Sequence, residues 1–368
     1  MRPLYIVGTR QHVGKTTMTL GLLQAFRDRG LRGAYTKPLG QRISEVNGHP
    51  LDSDALVVSA LLGADERGEG AAGARLAVPL PPGRVERGVG DPRPEELLAQ
   101  VQAVCRPLVE AHDAVIVESL GHVAAGSCLG VCSAEVARCI NARALLVSGG
   151  GIGRALDDIA LCATFLTARG ADLLGVAINK VWPEKYDRVK RATALGLSHM
   201  GYACCGVVPY EEQLAQPTMR QVHQLVGGDL VAGEAQLNGR VQHTLVGAME
   251  ASHMVRYLAR GALVITPGDR SDNILAVLSA HVLGGPHGSG IAGLILTGGF
   301  RPEAAIMTMV RDAGLPVILV DEDTYTVASR YRQTVFKMTL TDVEKVKTAV
   351  RLVAQYMDVD RLLDELSR

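Results

Sequence analysis

Residues 8 to 17 read Gly8-Thr9-Arg10-Gln11-His12-Val13-Gly14-Lys15-Thr16-Thr17, between the apolar run Leu4-Tyr5-Ile6-Val7 and the helix-like run Met18 to Phe26. The order of strand, glycine-framed loop and helix is that of a phosphate-binding loop. The strand carries the chain to the rim of a sheet and small residues turn it. The free N–H groups that open the helix then face an anion, with the helix dipole behind them. Lys15 is placed to reach terminal phosphates and the Thr16 hydroxyl to ligate Mg²⁺. Gly8, Thr9, His12, Val13, Gly14 and Thr17 complete the expected nucleotide-binding loop. The usual pattern, GxxxxGK[ST], asks for glycine at position 9, where this chain has Thr9, so the first glycine lies one residue back at Gly8. A merely structural strand-to-helix turn would leave Gly14-Lys15-Thr16-Thr17 unexplained.

The chain has 368 residues, enough for two or three domains. Apolar runs such as Ala55 to Val58 and Ala144 to Val147 fall far short of the roughly 20 residues that span a bilayer, so no membrane partner is expected. Met1-Arg2-Pro3 leads directly into the first strand, and without room for a signal peptide a cytoplasmic protein is expected. Acidic and basic residues balance, 38 against 38, and are interspersed, which leaves no field of one sign to hold nucleic acid by counterion release. Cys105, Cys139 and Cys162 sit in apolar segments and read as reduced core residues. Cys128 and Cys132 lack a second ligand pair at zinc spacing.

From Leu4 to about Pro209, short β-branched runs alternate with longer helical ones, which predicts a doubly wound parallel α/β sheet. Strands are expected at Leu4 to Val7, Gly33 to Thr36, Ala114 to Val117, Ala144 to Ser148, Leu174 to Asn179 and Cys205 to Val208. Thr16 to Arg29, Pro94 to Ala111 and Leu156 to Arg169 have helical periodicity. The stretch Asp65 to Pro94, rich in Gly, Pro and Arg, reads as a surface loop. After Pro209 come short helical pieces and turns to Arg240. Strand character then resumes at Ala262 to Thr266, Gly293 to Thr297 and Val317 to Val320, the mark of a second, smaller α/β domain. The expected domains are 1–210, 211–340 and a helical tail 341–368, opened by a capping box at Thr341-Asp342-Val343-Glu344 and closed by a short helix near Asp360 to Leu366.

A nucleotide with Mg²⁺ needs acidic groups opposite Thr16. Glu118 ends the apolar strand Ala114-Val115-Ile116-Val117, where a charge is seldom chosen for packing. Leu51-Asp52-Ser53-Asp54 precedes a helix, Ala55 to Leu62, so one aspartate can cap it and the other bind metal, with Asp54 preferred. At Gly175-Val176-Ala177-Ile178-Asn179-Lys180-Val181-Trp182, a guanine site would offer aspartate two residues beyond the lysine. Trp182 stands there instead, and Asn179 has the donor and acceptor to meet the adenine edge, so ATP is the expected nucleotide.

GTRQHVGKTT resembles the GTDTxVGKT loop of dethiobiotin synthetase. Tyr35-Thr36-Lys37-Pro38 resembles its KP motif, Val117-Glu118 its VEG motif, and Gly175 to Val181 its adenine-contacting GVxxNxV stretch. Leu263 to Asp272, containing Asp269-Arg270, and Leu294 to Pro302, containing Thr297-Gly298-Gly299, resemble the two signature segments of the DRTGG domain. The tandem is similar to the N-terminal half of long phosphate acetyltransferases, where it regulates rather than catalyses. No counterpart of the acetyltransferase domain is expected here. The resemblance implies a homodimer, and places Lys37 near a transferred phosphate or as a second phosphate anchor. The synthetase's acidic loop residue and its small hydroxyl after the KP motif have no counterparts, and Ser119-Leu120-Gly121-His122 replaces its glycine-rich stretch. The nucleotide half of the site carries over and the carboxylation half does not.

Three functions follow as expectations. The first is an ATP- and Mg²⁺-binding regulatory protein with slow or no hydrolysis, whose second domain senses a ligand or contacts a partner. The second is an ATP-dependent ligase acting on a carboxylate or carbamate through Lys15 and Lys37. The third is a dimerisation module with a constitutive nucleotide. Gly149-Gly150-Gly151-Ile152-Gly153 reads as a second anion-receiving loop or a hinge, and His122 as a phosphate contact or a satisfied loop histidine. Near Asp269, Arg270 and Thr297, adjacent strand ends could take a small anionic or nucleotide ligand, or an Arg–Asp pair could simply lock the loops.

Overall fold

In the strand β1, Leu4–Gly8, Leu4 and Ile6 point to one face and Tyr5 and Val7 to the other, and all four are buried. A strand apolar on both faces belongs at the centre of a parallel sheet covered on both sides. The computed structural model describes residues 1–40, 43–46, 49–52, 54–55, 57–58, 78–80, 82–90, 93–283, 290–339 and 342–368. The chain divides into two units, Met1–Leu214 with Met338–Arg368, and Ala215–Lys337.

The first unit carries six strands: β1, β2 (Gly33–Thr36), β3 (Ala114–Glu118), β4 (Arg143–Gly149), β5 (Asp172–Val181) and β6 (Cys204–Pro209). Their order is β6-β5-β4-β1-β3-β2, all parallel. The β1–β3 register sets Ile6 beside Glu118, so the phosphate loop and the acidic strand end leave the sheet side by side. One face is covered by helices α2 (Pro94–Ala111), α3 (Gly153–Ala168) and α4 (Tyr186–His199), through Val101, Leu108, Ile159, Leu166, Val189 and Leu197. The other is covered by α1 (Lys15–Asp28) and by the last two helices of the chain, Val343–Tyr356 and Val359–Ser367. These bury Leu352, Val353, Met357, Leu362 and Leu366 against the sheet and α1. Gly21 of α1 allows the approach, since a Cβ there would stand 2.2 Å from Val353 Cβ.

The second unit has its own two-faced sheet of β7 (Asp229–Ala232), β8 (His243–Val246), β9 (Ala262–Pro267), β10 (Gly293–Thr297) and β11 (Val317–Leu319), in the order β7-β11-β10-β9-β8. Only β7 runs antiparallel. One core packs Val264, Leu294 and Val317 under the helix Ser271–Leu283. The other packs Ile265, Ile295 and Ile318 under Met219–Val226 and Thr324–Gln333.

Several expectations need correction. The stretch read as the surface loop Asp65 to Pro94 contains the helix Pro82–Gly90 and the pairing of Val78–Pro79 with Leu39–Gly40, its residues 65–77 lying outside the described set. The region to Arg240 includes the edge strand β7, and β8 follows it. Both are four residues long and largely half-buried or exposed, so neither shows the apolar run that marks a central strand. Thr341 lies outside the described residues. The helix of the anticipated capping box begins at Val343 with Asp342 as N-cap, and Asp342 accepts instead from the N–H and hydroxyl of Thr339. A true capping box occurs at Thr218 and Gln221. Of the helix expected over 55–62, only Ala55, Val57 and Val58 are described, all buried. Among the described residues no helix is long and apolar enough to cross a membrane.

Candidate nucleotide site

Gly8 lies where the loop doubles back on itself, and a Cβ there would meet the Arg10 carbonyl at 2.8 Å and Val13 Cγ2 at 2.9 Å. The glycine one residue early in the pattern therefore still meets a close approach of backbone. At the other end, Gly14 caps α1 with φ 97°, in the left-handed region, and a Cβ would stand 2.1 Å from Asn179 Nδ2. The loop between them is held from β5: Asn179 Nδ2 donates to the Val13 carbonyl at 2.9 Å and Lys180 Nζ to the His12 carbonyl at 2.7 Å. Burial lowers the Lys180 pKa. Thr9 starts the loop with its N–H on the Val147 carbonyl.

Lys15 Nζ donates to the Gly121 carbonyl at 2.9 Å, crossing from α1 to the segment after β3. The Thr16 hydroxyl donates to Glu118 Oε1 at 3.0 Å, and Thr19 to Glu118 Oε2 at 3.2 Å, with the Tyr35 hydroxyl at 3.5 Å from the same oxygen. Thr16 and Glu118, paired on sequence grounds, are thus brought into contact. Lys37 is buried between Asp52 (2.7 Å) and Asp54 (2.6 Å), and Asp52 Oδ1 also accepts the Asp54 N–H at 3.0 Å. Asp52 and Asp54 thus share the Lys37 ammonium, and Asp52 alone also accepts from the backbone. Thr17 lies in the first turn of α1, half-buried.

The charges of this cluster act directly on one another. Burial raises the Glu118 carboxyl pKa and the Asp54 charge adds to that, whereas Lys37, Lys15 and the Thr16 hydroxyl pull it down; the net direction is up. For Lys37, burial alone would lower the pKa, but the carboxylates of Glu118, Asp54 and Asp52 together raise it. Two ammonium groups thus face three carboxylates in a nearly dry volume. A hydroxyl and hard carboxylate oxygens form the donor set that suits Mg²⁺, which takes few protein ligands and completes its shell with phosphate and water. The residues present fit that ion: Thr16 and Glu118 would hold it, with Asp54 alongside. Among the described residues no three His, Cys, Asp or Glu side chains form a cage of their own.

Beside the loop, a cavity of about 410 Å³ is lined by Arg10, His12, Arg154, Lys180 and the glycine loop Gly149-Gly150-Gly151. Arg10 is ion-paired with Asp158. A Cβ on Gly150 would stand 2.5 Å from the Lys180 carbonyl, so this glycine allows two loops to touch. His122 accepts the Ala124 N–H and is a satisfied loop histidine in this structure. Sequence reading missed Thr19, Tyr35 and the Gly121 carbonyl. Thr19 lies one turn beyond Thr16 on the same helix face, a spacing that could have flagged it.

In the second unit, Arg270 makes two hydrogen bonds to Asp272 (2.9 and 2.8 Å) and one to the Met249 carbonyl at 3.1 Å. Asp269 follows Gly268, over which the Phe300 carbonyl passes so closely that a Cβ would be 1.8 Å away. The Thr297 and Thr324 hydroxyls are 2.6 Å apart. Asn273, wholly buried and missed in the sequence, donates to the Gly247 carbonyl and to Thr266 Oγ1, while its own Oδ1 has no hydrogen-bond partner.

A phosphate loop on a parallel sheet, with its hydroxyl and acidic partner in contact, defines a P-loop NTPase-like domain. The chain belongs to the AAA domain family, whose match covers residues 2–218, and a DRTGG domain match covers 221–334. It is similar to the phosphate acetyltransferases of Pseudomonas putida (27% identity over 97% of this chain and 51% of that protein) and Pseudomonas aeruginosa (29% over 98% and 52%). It thus spans about half the length of the curated relatives it matches, consistent with their N-terminal half. Among solved structures it is similar to the septum site-determining protein MinD of Pyrococcus horikoshii complexed with Mg-ADP (17% identity, 58% of this chain and 83% of that one, TM-score 0.34). Another is the CBS and DRTGG regulatory region of Clostridium perfringens pyrophosphatase complexed with diadenosine tetraphosphate (18%, 38% and 60%, TM-score 0.26).

Proposed function

We propose that this chain is a nucleotide-binding regulatory protein that takes ATP with Mg²⁺ at the phosphate loop and turns it over slowly or not at all. The carrying observation is the convergence of Lys15, Thr16 and Glu118 at the mouth of the loop. Lys15 and the N–H groups of α1 receive the phosphates, and Thr16 with Glu118 receives the metal, whose chemistry is to neutralise charge between the terminal phosphates. Glu118 accepts from Thr16 and Thr19, an arrangement suited to holding a cation rather than to removing a proton from water. Asn179 spends its amide nitrogen on Val13, which leaves its Oδ1 to accept from adenine N6.

The DRTGG unit, in this reading, senses a small anionic or nucleotide ligand near Asp269, Arg270 and Thr297 or contacts a partner, and the protein works as a homodimer. Isothermal calorimetry tests the central claim. ATP with Mg²⁺ should bind the parent, and Lys15→Ala should abolish that binding. Unchanged affinity in the variant refutes the placement of the phosphates. Tight binding with little phosphate release separates this reading from the ATP-dependent ligase, for which release would appear only when a carboxylate or carbamate substrate is added.

A further inference from the structure

Asn179 and Lys180 grip two consecutive carbonyls of the phosphate loop from the end of β5. Lys180 does so in the left-handed conformation, φ 60°, and the chain then buries Val181 and brings out Trp182, which is 54% exposed. It is the chain's single tryptophan. Its ring centroid lies 4.6 Å from that of Tyr210, tilted by 46°. Tyr210 is the first residue beyond β6, and its N–H donates to the Val181 carbonyl at 2.7 Å. Two neighbouring strands of one sheet therefore end in a single aromatic pair, of which Trp182 stands three residues beyond Asn179.

Trp182 is packed against Tyr210 on one side and is otherwise open, so a large part of its ring surface is left available to a ligand. Trp182 also stands at the position from which an aspartate would read the edge of guanine. A carboxylate there would accept hydrogen bonds, whereas an indole offers a π face. Ligands of doubly wound sheets lie beyond the carboxyl ends of the strands, which is where this face is presented.

We propose that Trp182, braced by Tyr210, is the platform on which the base of the bound nucleotide stacks, so that the base is held by its face more than by its edge. This rests on the nucleotide reading given above. The phosphate loop grips the polyphosphate, and the platform gives affinity only to ligands that carry a base.

The single tryptophan makes the test direct. In the parent protein, ATP should quench or shift the Trp182 emission saturably, and inorganic tripolyphosphate, which has no base, should bind without that change. By calorimetry, Trp182→Ala should weaken ATP by a factor on the order of five to a hundred while leaving tripolyphosphate affinity unchanged, and Trp182→Phe should restore most of the loss. ATP bound as tightly by Trp182→Ala as by the parent, with Lys15 still required, would overturn the platform and leave the nucleotide site standing. Equal weakening of ATP and tripolyphosphate would also overturn it, because Trp182 would then be supporting the loop. Failure of both ligands to bind the parent removes the nucleotide reading and the platform together.

Discussion

Gly14 sits at φ 97° with Asn179 Nδ2 where its side chain would begin, so any substitution there meets both backbone strain and a clash. Gly14→Ala should cost about 1–3 kcal/mol of stability and remove ATP binding, measured by chemical denaturation and calorimetry. In the second unit, the Arg270 guanidinium holds the Asp272 carboxyl at about 2, below the ordinary aspartate value of about 3.9. A depressed carboxylate contributes stability above its unfolded pKa and loses it as pH falls through the folded one, so the pair should survive at pH 4 and open towards pH 2. An NMR titration of the Asp272 carboxyl carbon checks this, and Arg270→Ala should return the midpoint to near 4. At this scale Thr16 and Glu118 were legible because each ends or opens a strongly patterned element. The shared pairing of Asp52 and Asp54 was not legible, since it depends on Lys37, which reaches both from a separate segment. Thr19 and Tyr35 are wholly or almost wholly buried and, in a sequence, look like ordinary core.

Helix α1 joins the phosphate loop to the fold, and its outer side is closed by the helix Val343–Tyr356. Gly21→Val should drive a branched side chain into Val353, and we expect a loss of about 1–3 kcal/mol with a lowered Tm. Gly21→Ala and Val353→Gly should each destabilise alone, the first by crowding against the Val353 Cβ and the second by a cavity and a mid-helix glycine. Together they should cost clearly less than the sum, a coupling that a double-mutant cycle reads directly. The central strands were readable as uninterrupted apolar runs because both faces are covered. The edge strands β7 and β8 were not, since a half-exposed strand of four residues has no periodicity to distinguish it from a turn. Which surface the closing helices cover is also beyond local pattern. Their amphipathic character is written in the sequence, but the partner face is built by α1, more than three hundred positions earlier, together with β6, more than a hundred positions earlier.

At the scale of the whole chain, the first unit is completed by residues that follow the second. Deleting residues 342–368 would uncover the sheet face now contacted by Met357, Val359, Leu362 and Leu366. Each such side chain contributes roughly 1.5–3 kcal/mol when fully buried, so the truncated chain should aggregate or melt far below the parent in differential scanning calorimetry. The contiguous segment 215–337 has its own cores and should fold when expressed alone, with a cooperative transition by circular dichroism.

Because Leu214 and Met338 both belong to the host while everything between them is guest, the guest acts as a tether whose span is fixed when it is ordered and wanders when it is not. Closing a wandering tether costs the host configurational entropy that an ordered guest has already given up. Any small molecule that tightens the guest should therefore make the host harder to melt.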